Sequence, residues 1–157
     1  MRVTPLARCS RPRTGAVSPE GALGDTSHVE RTLISSGSPY EPVVGFSRAV
    51  RVGEHVYVAG TAPVMRDGAD PPEDSYGQAR RCFEIIGAAL EQAGASFADV
   101  VRTRVYLVRA DDFEGVGRAH GEIFGDIRPA NTTLLAGGLL DPRWLVEIEA
   151  EAVVSGH

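Results

Sequence analysis

Val146-Glu147-Ile148-Glu149-Ala150-Glu151-Ala152-Val153 alternates apolar and acidic residues without a break. Successive side chains of an extended chain point to opposite sides. Ile148, Ala150 and Ala152 therefore face a core, and Glu147, Glu149 and Glu151 share the other face of a strand expected over 144–154. Three carboxylates on one sheet face form a solvated or interface surface, balanced by cations on neighbouring strands, for which Arg102 and Arg104 are suited.

Working back from this strand, Pro129 breaks the chain and 132–136 reads as a further strand. Gly137-Gly138 and Asp141-Pro142 mark the turn between the two. Residues 111–124 carry Phe113, Val116, His120 and Phe124 on one helical face. Before them, 100–108 alternates Val101, Thr103, Val105 and Leu107 with Val100, Arg102, Arg104 and Tyr106, as a strand with two unlike faces does. The clearest periodicity lies earlier still. Tyr76, Ala79, Phe83, Ile86, Leu90 and Ala93 are spaced three and four apart, a single buried helical stripe, and Gly94 is placed to end it. Two short β-branched and aromatic runs, 46–52 and 55–59, flank Gly53-Glu54 as a hairpin.

The order is β-β-α-β-α-β-β, an α+β two-layer domain with both helices on one face of a mixed sheet. No third helix remains for the opposite face, which points to self-association through the sheets. Residues 1–38, rich in Pro, Gly, Ser, Thr and Arg and without periodicity, read as a flexible N-terminal extension before a domain over 39–157.

Composition narrows the function. The chain has 157 residues and 16 Lys+Arg against 21 Asp+Glu, a net charge of −5. Without a dense basic block, nucleic acid is not an expected partner, which argues against a ribonuclease. No apolar run approaches the roughly 18 to 20 residues of a membrane span, so no membrane association is expected and a cytoplasmic location is the default. Cys9 and Cys82 lack metal-ligand spacing and read as free thiols. Neither a phosphate-binding loop, a nucleophile elbow nor a His/Cys cluster is present, so no metal or other cofactor is expected.

Arg128-Pro129-Ala130-Asn131-Thr132-Thr133, followed by the acidic strand, resembles the signature of the RidA/YjgF family of reactive-intermediate deaminases. That family reads Pro-Ala-Arg and then Ile-Glu-Ile-Glu-Ala. Further matches in order are Val50-Arg51-Val52-Gly53, Val56-Tyr57-Val58-Ala59-Gly60, Gln78-Ala79-Arg80, Ala93-Gly94-Ala95, Val105-Tyr106-Leu107 and Asp112-Phe113. The resemblance implies a YjgF/chorismate-mutase-like fold, a homotrimer with three intersubunit clefts, and addition of water to a small imine or enamine.

It also implies site residues. Glu147 matches the glutamate that positions water. Asn131 stands where the deaminases carry an arginine that grips the substrate carboxylate; a neutral amide offers two N–H donors and no charge. Gly117 and His120 depart from the deaminase pattern on the second helix as well, so this chain resembles an arginine-lacking branch. Thr133 and Tyr40 fall where substrate contacts are expected, and Arg104 is a candidate for the missing cation or for a cross-strand ion pair. His120 reads either as a hydrogen-bonded core or interface residue or as a proton-transfer group beside Glu147. Three functions remain open on this reading. They are imine or enamine hydrolysis on an unusual substrate, a non-catalytic trimer that binds a small metabolite, and a dedicated hydrolytic or tailoring step in a pathway.

Overall fold

The computed structural model describes residues 30–155. The expected extension before residue 30 and Cys9 within it lie outside the described residues. One six-stranded sheet runs β1-β2-β3-β6-β4-β5. Its strands are β1 (Arg31–Ile34), β2 (Ala49–Val52), β3 (His55–Thr61), β4 (Val100–Leu107), β5 (Ala130–Leu135) and β6 (Val146–Val153). The helices are α1 (Tyr40–Val44), α2 (Ser75–Gln92) and α3 (Phe113–Phe124).

The alternating acidic strand is central: β6 lies antiparallel to both β3 and β4. Its inward residues Val146, Ile148, Ala150 and Ala152 are no more than 1% exposed, beneath the helices. β4 and β5 are parallel, joined by the crossover helix α3, and the long helix α2 packs beside α3. The stripe read along α2 is buried from Ala79 to Leu90, with Cys82 among it. Each large side chain there, Phe83, Ile86 and Leu90, contributes roughly 1.5 to 3 kcal/mol through burial. Phe83, Phe97 and Phe124 meet edge to face, with centroids 5.5 to 6.5 Å apart.

Helix α2 begins at Asp74, whose carboxylate accepts the Gly77 N–H, and closes through Gly94 at φ +71°. Gln78, fully buried on this helix, donates to the carbonyls of Pro72 and Arg143 and accepts from Leu145 N–H. It ties both the loop before α2 and the β5–β6 connection to the helix.

Two expectations change. The segment read as an arm to residue 38 contributes an edge strand, β1, whose Ile34 is buried beside Ala49. Four residues between serine-rich and proline-rich flanks are too few for a periodic signal. Their order comes from pairing with β2 and from Glu41 on α1, which accepts bonds from both Ser35 and Ser36. Those hydroxyl donors hold the Glu41 carboxyl down at about 2. The second change is in β4. A register shift between Val100 and Arg102 turns Val100 inward and leaves Val101 48% exposed, while Thr103, Val105 and Leu107 keep the inward face.

Candidate functional site

The residues singled out in the sequence fall into two groups on opposite faces of the sheet. The first group lies on the helix side. Across the sheet, paired residues form one row, Ile34, Ala49, Val58, Ala150, Thr103 and Asn131. That row is apolar until its last two members. Thr133 Oγ1 donates to Asn131 Oδ1 (3.1 Å), and Asn131 Nδ2 donates to Thr103 Oγ1 (3.0 Å). Thr103 Oγ1 in turn lies 2.9 Å from His120 Nε2 on α3. Thr103 Oγ1 thus accepts from Asn131 and shares a further hydrogen bond with His120 Nε2, whose donor is set by the imidazole tautomer. Burial favours the neutral imidazole, holding its pKa below the ordinary histidine value.

A cavity of about 190 Å³ opens between α3 and β5, lined by Val105, Phe113, Val116, Gly117 and the members His120, Asn131 and Thr133. Gly117 forms part of its wall, and a Cβ added there would meet nothing within 4 Å. The cavity's lining includes no charged side chain.

The second group lies on the outer face. Glu147 pairs in register with Tyr106 and approaches β3 at an irregularity between Val58 and Thr61. Its Oε1 stands over Gly60, in space that a Cβ at that position would occupy. Arg48 secures this bend by donating from one Nη to Gly60 O (2.7 Å), Thr61 Oγ1 (2.9 Å) and Ala59 O (3.4 Å). Among the described residues, none donates a hydrogen bond to Glu147. Half-burial pushes its carboxyl pKa up, opposed by the Arg48 charge and reinforced by Glu149. It is a half-buried carboxylate that accepts no hydrogen bond from the described residues.

Farther along the same face, Arg104 bonds Glu149 (3.0 Å) and Glu151 (2.7 Å), and the Tyr106 hydroxyl donates to Glu149 (2.5 Å). Arg104 therefore takes the cross-strand ion-pair role and, within one chain, lies on the face away from Asn131. Tyr40 belongs to neither group. It sits on α1, 68% exposed, and is not part of the lining of the cavity between α3 and β5. The aromatic ring that accompanies the Arg48 guanidinium is Phe46, 5.7 Å away.

Thr103, Arg48 and Gly60 were missed as site residues. Thr103 did leave a signal, being a hydroxyl in the inward register of an otherwise apolar strand face, where it needs a partner. Arg48 left none, because its partners, two carbonyls and the Thr61 hydroxyl, come together at an irregularity that strand periodicity does not encode.

Residues 36–154 match the family described as endoribonuclease L-PSP. A Streptomyces coelicolor protein is 41% identical over 119 residues, spanning 76% of this chain and 89% of its own. A mite protein from Dermatophagoides farinae, named 2-iminobutanoate/2-iminopropanoate deaminase, is 26% identical over 79% of this chain and 95% of its own. Among solved structures, a Mycobacterium tuberculosis member of the YjgF/YER057c/UK114 family is 45% identical. It superposes with a TM-score of 0.73 over 80% of this chain and all of that one. With the fold, the acidic central strand and these relatives in agreement, the chain belongs to the RidA/YjgF family.

Proposed function

We propose that this protein hydrolyses a small imine or enamine in a cleft formed between copies of the chain. The observation that carries the reading is Glu147, a half-buried carboxylate with a raised pKa and no hydrogen-bond donor among the described residues, held over Gly60. A carboxylate with unoccupied lone pairs and weakened solvation is a stronger base than an exposed one. The named activity of the mite relative supports the same chemistry.

In the proposed reaction, Glu147 orients a water and accepts its proton as the water oxygen bonds to the imine carbon and the C=N π electrons move to nitrogen. Glu147 returns that proton to the nitrogen, giving a carbinolamine; the carbinolamine's hydroxyl proton then passes to nitrogen through Glu147 as the C–N bond breaks, which expels ammonia and leaves a carbonyl. The alternative label, ribonuclease, fits poorly with a chain of net charge −5.

Glu147 and the Asn131–Thr133 cavity sit on opposite sheet faces, so a single chain does not bring them to one substrate. A homotrimer packed through its sheets supplies the other half of each cleft from a second copy. The decisive assay is ammonia release from freshly generated 2-iminopropionate by the wild type, Glu147→Gln and Asn131→Arg. Turnover by the wild type or by Asn131→Arg that is lost with Glu147→Gln supports the reading. Turnover untouched by Glu147→Gln overturns it.

A further inference from the structure

We infer that the cavity between α3 and β5 receives an uncharged carbonyl group, an amide or lactam in place of a carboxylate. This rests on the proposed reading in which that cavity holds the non-reacting part of the substrate. The hydrogen-bond chain is neutral throughout: Thr133 donates to Asn131, Asn131 donates to Thr103, and the Thr103 hydroxyl is bonded to His120 Nε2. Each internal acceptor is thereby used by a neutral donor. What remains for a ligand is neutral as well: the second N–H of Asn131, the Nδ1 of His120 and the lone pairs of Thr133 Oγ1.

A primary amide matches that set, because its carbonyl accepts from the free N–H of Asn131 while its NH₂ donates to Thr133. A carboxylate brings no donor for Thr133 and loses part of its hydration against Val105 and Val116, with no cation in this chain's lining to replace it. Arg104, the nearest candidate in the sequence, is committed to Glu149 and Glu151 on the other face. Size agrees with a small group, since about 190 Å³ equals roughly six water volumes at about 30 Å³ each.

The test is calorimetric titration of the full chain with 2-oxobutanamide and with 2-oxobutanoate, which match in shape and differ in charge. We expect the amide to bind at least about tenfold more tightly. Filling the cavity with Gly117→Leu should abolish that preference with the far-UV spectrum unchanged. Thr133→Val, nearly the same volume, should weaken the amide several-fold and leave the oxo-acid alone. Asn131→Arg should reverse the order.

Equal or tighter binding of 2-oxobutanoate by the wild type overturns the inference, as does absence of saturable binding of either probe. Amide binding unaffected by both Gly117→Leu and Thr133→Val overturns it too. Because both probes are carbonyl compounds, the titration needs no turnover. Amide preference in a protein without hydrolytic activity sustains this inference while the catalytic role of Glu147 falls, and hydrolysis with oxo-acid preference does the reverse.

Discussion

At the scale of the residue, Glu147 and His120 carry shifts of opposite sense, and stability against pH separates them. Burial raises the Glu147 pKa above 4.5, so the folded state holds its proton more tightly than the unfolded chain. Its contribution is complete below 4.5 and is lost as pH rises through the elevated value. Burial lowers the His120 pKa below 6.5, so its contribution is complete above 6.5 and is lost as pH falls through the lowered value. Chemical denaturation between pH 4.5 and 7 should therefore give a steeper rise of stability with pH for Glu147→Gln than for the wild type, and a shallower one for His120→Phe. Identical slopes in all three proteins would refute the assigned protonation states. If Glu147 is the base, the same Gln variant loses about 10²- to 10⁴-fold in kcat with little change in KM, read by ammonia release. Thr103→Val strips partners from Asn131 and His120 and should cost about 1 to 3 kcal/mol in urea denaturation, although the side chains are close in volume.

At the scale of the element, the Gly94 turn and the Gln78 tie make the demands of the fold measurable. Gly94 ends α2 in the left-handed region, and a Cβ there would also come within 2.8 Å of Arg51 Nη1. Gly94→Ala should destabilise by about 1 to 2 kcal/mol in thermal unfolding, and a neutral effect would deny the strain. Gln78→Leu keeps the helix but strands the Leu145 N–H and two carbonyls, so it should loosen the connection before β6, seen as faster amide exchange at Leu145. The period of each long element was legible because one physical demand, a buried stripe or an alternating face, acts over eight or more residues. That covers α2, α3, β4 and β6. β1 was illegible because its order is borrowed from β2 and Glu41. The inward turn of Val100 was hidden because a register shift is negotiated between strands. For the site, Asn131, Thr133, His120 and Glu147 stood out in sequence, whereas Arg48 and Gly60 act through backbone at an irregularity. Tyr40 was named through the resemblance as a substrate contact, and the pairing of Phe46 with Arg48 is visible only in three dimensions.

At the scale of the molecule, the outer sheet face sets the expected assembly. Register places Leu33, Tyr57 and Leu134 on it, each about half exposed, around the Arg104, Glu149 and Glu151 ion pairs. Apolar side chains beside a satisfied charge network suit a surface that is covered by another copy, since the polar groups need no water to complete their bonds. The proposed chemistry asks for the same arrangement, because Glu147 opens to this face and Asn131 to the other. Sedimentation equilibrium should give three times the chain mass of 16.7 kDa. Leu134→Lys and Tyr57→Lys together should place unpaired cations in the buried contact and shift the protein to monomer, while the far-UV spectrum of the individual fold persists. Turnover should disappear with the trimer and return as protein concentration restores assembly, giving a specific activity that rises with concentration. A monomeric double variant with undiminished activity would show that one chain contains the whole site, and the cleft between copies would have to be abandoned.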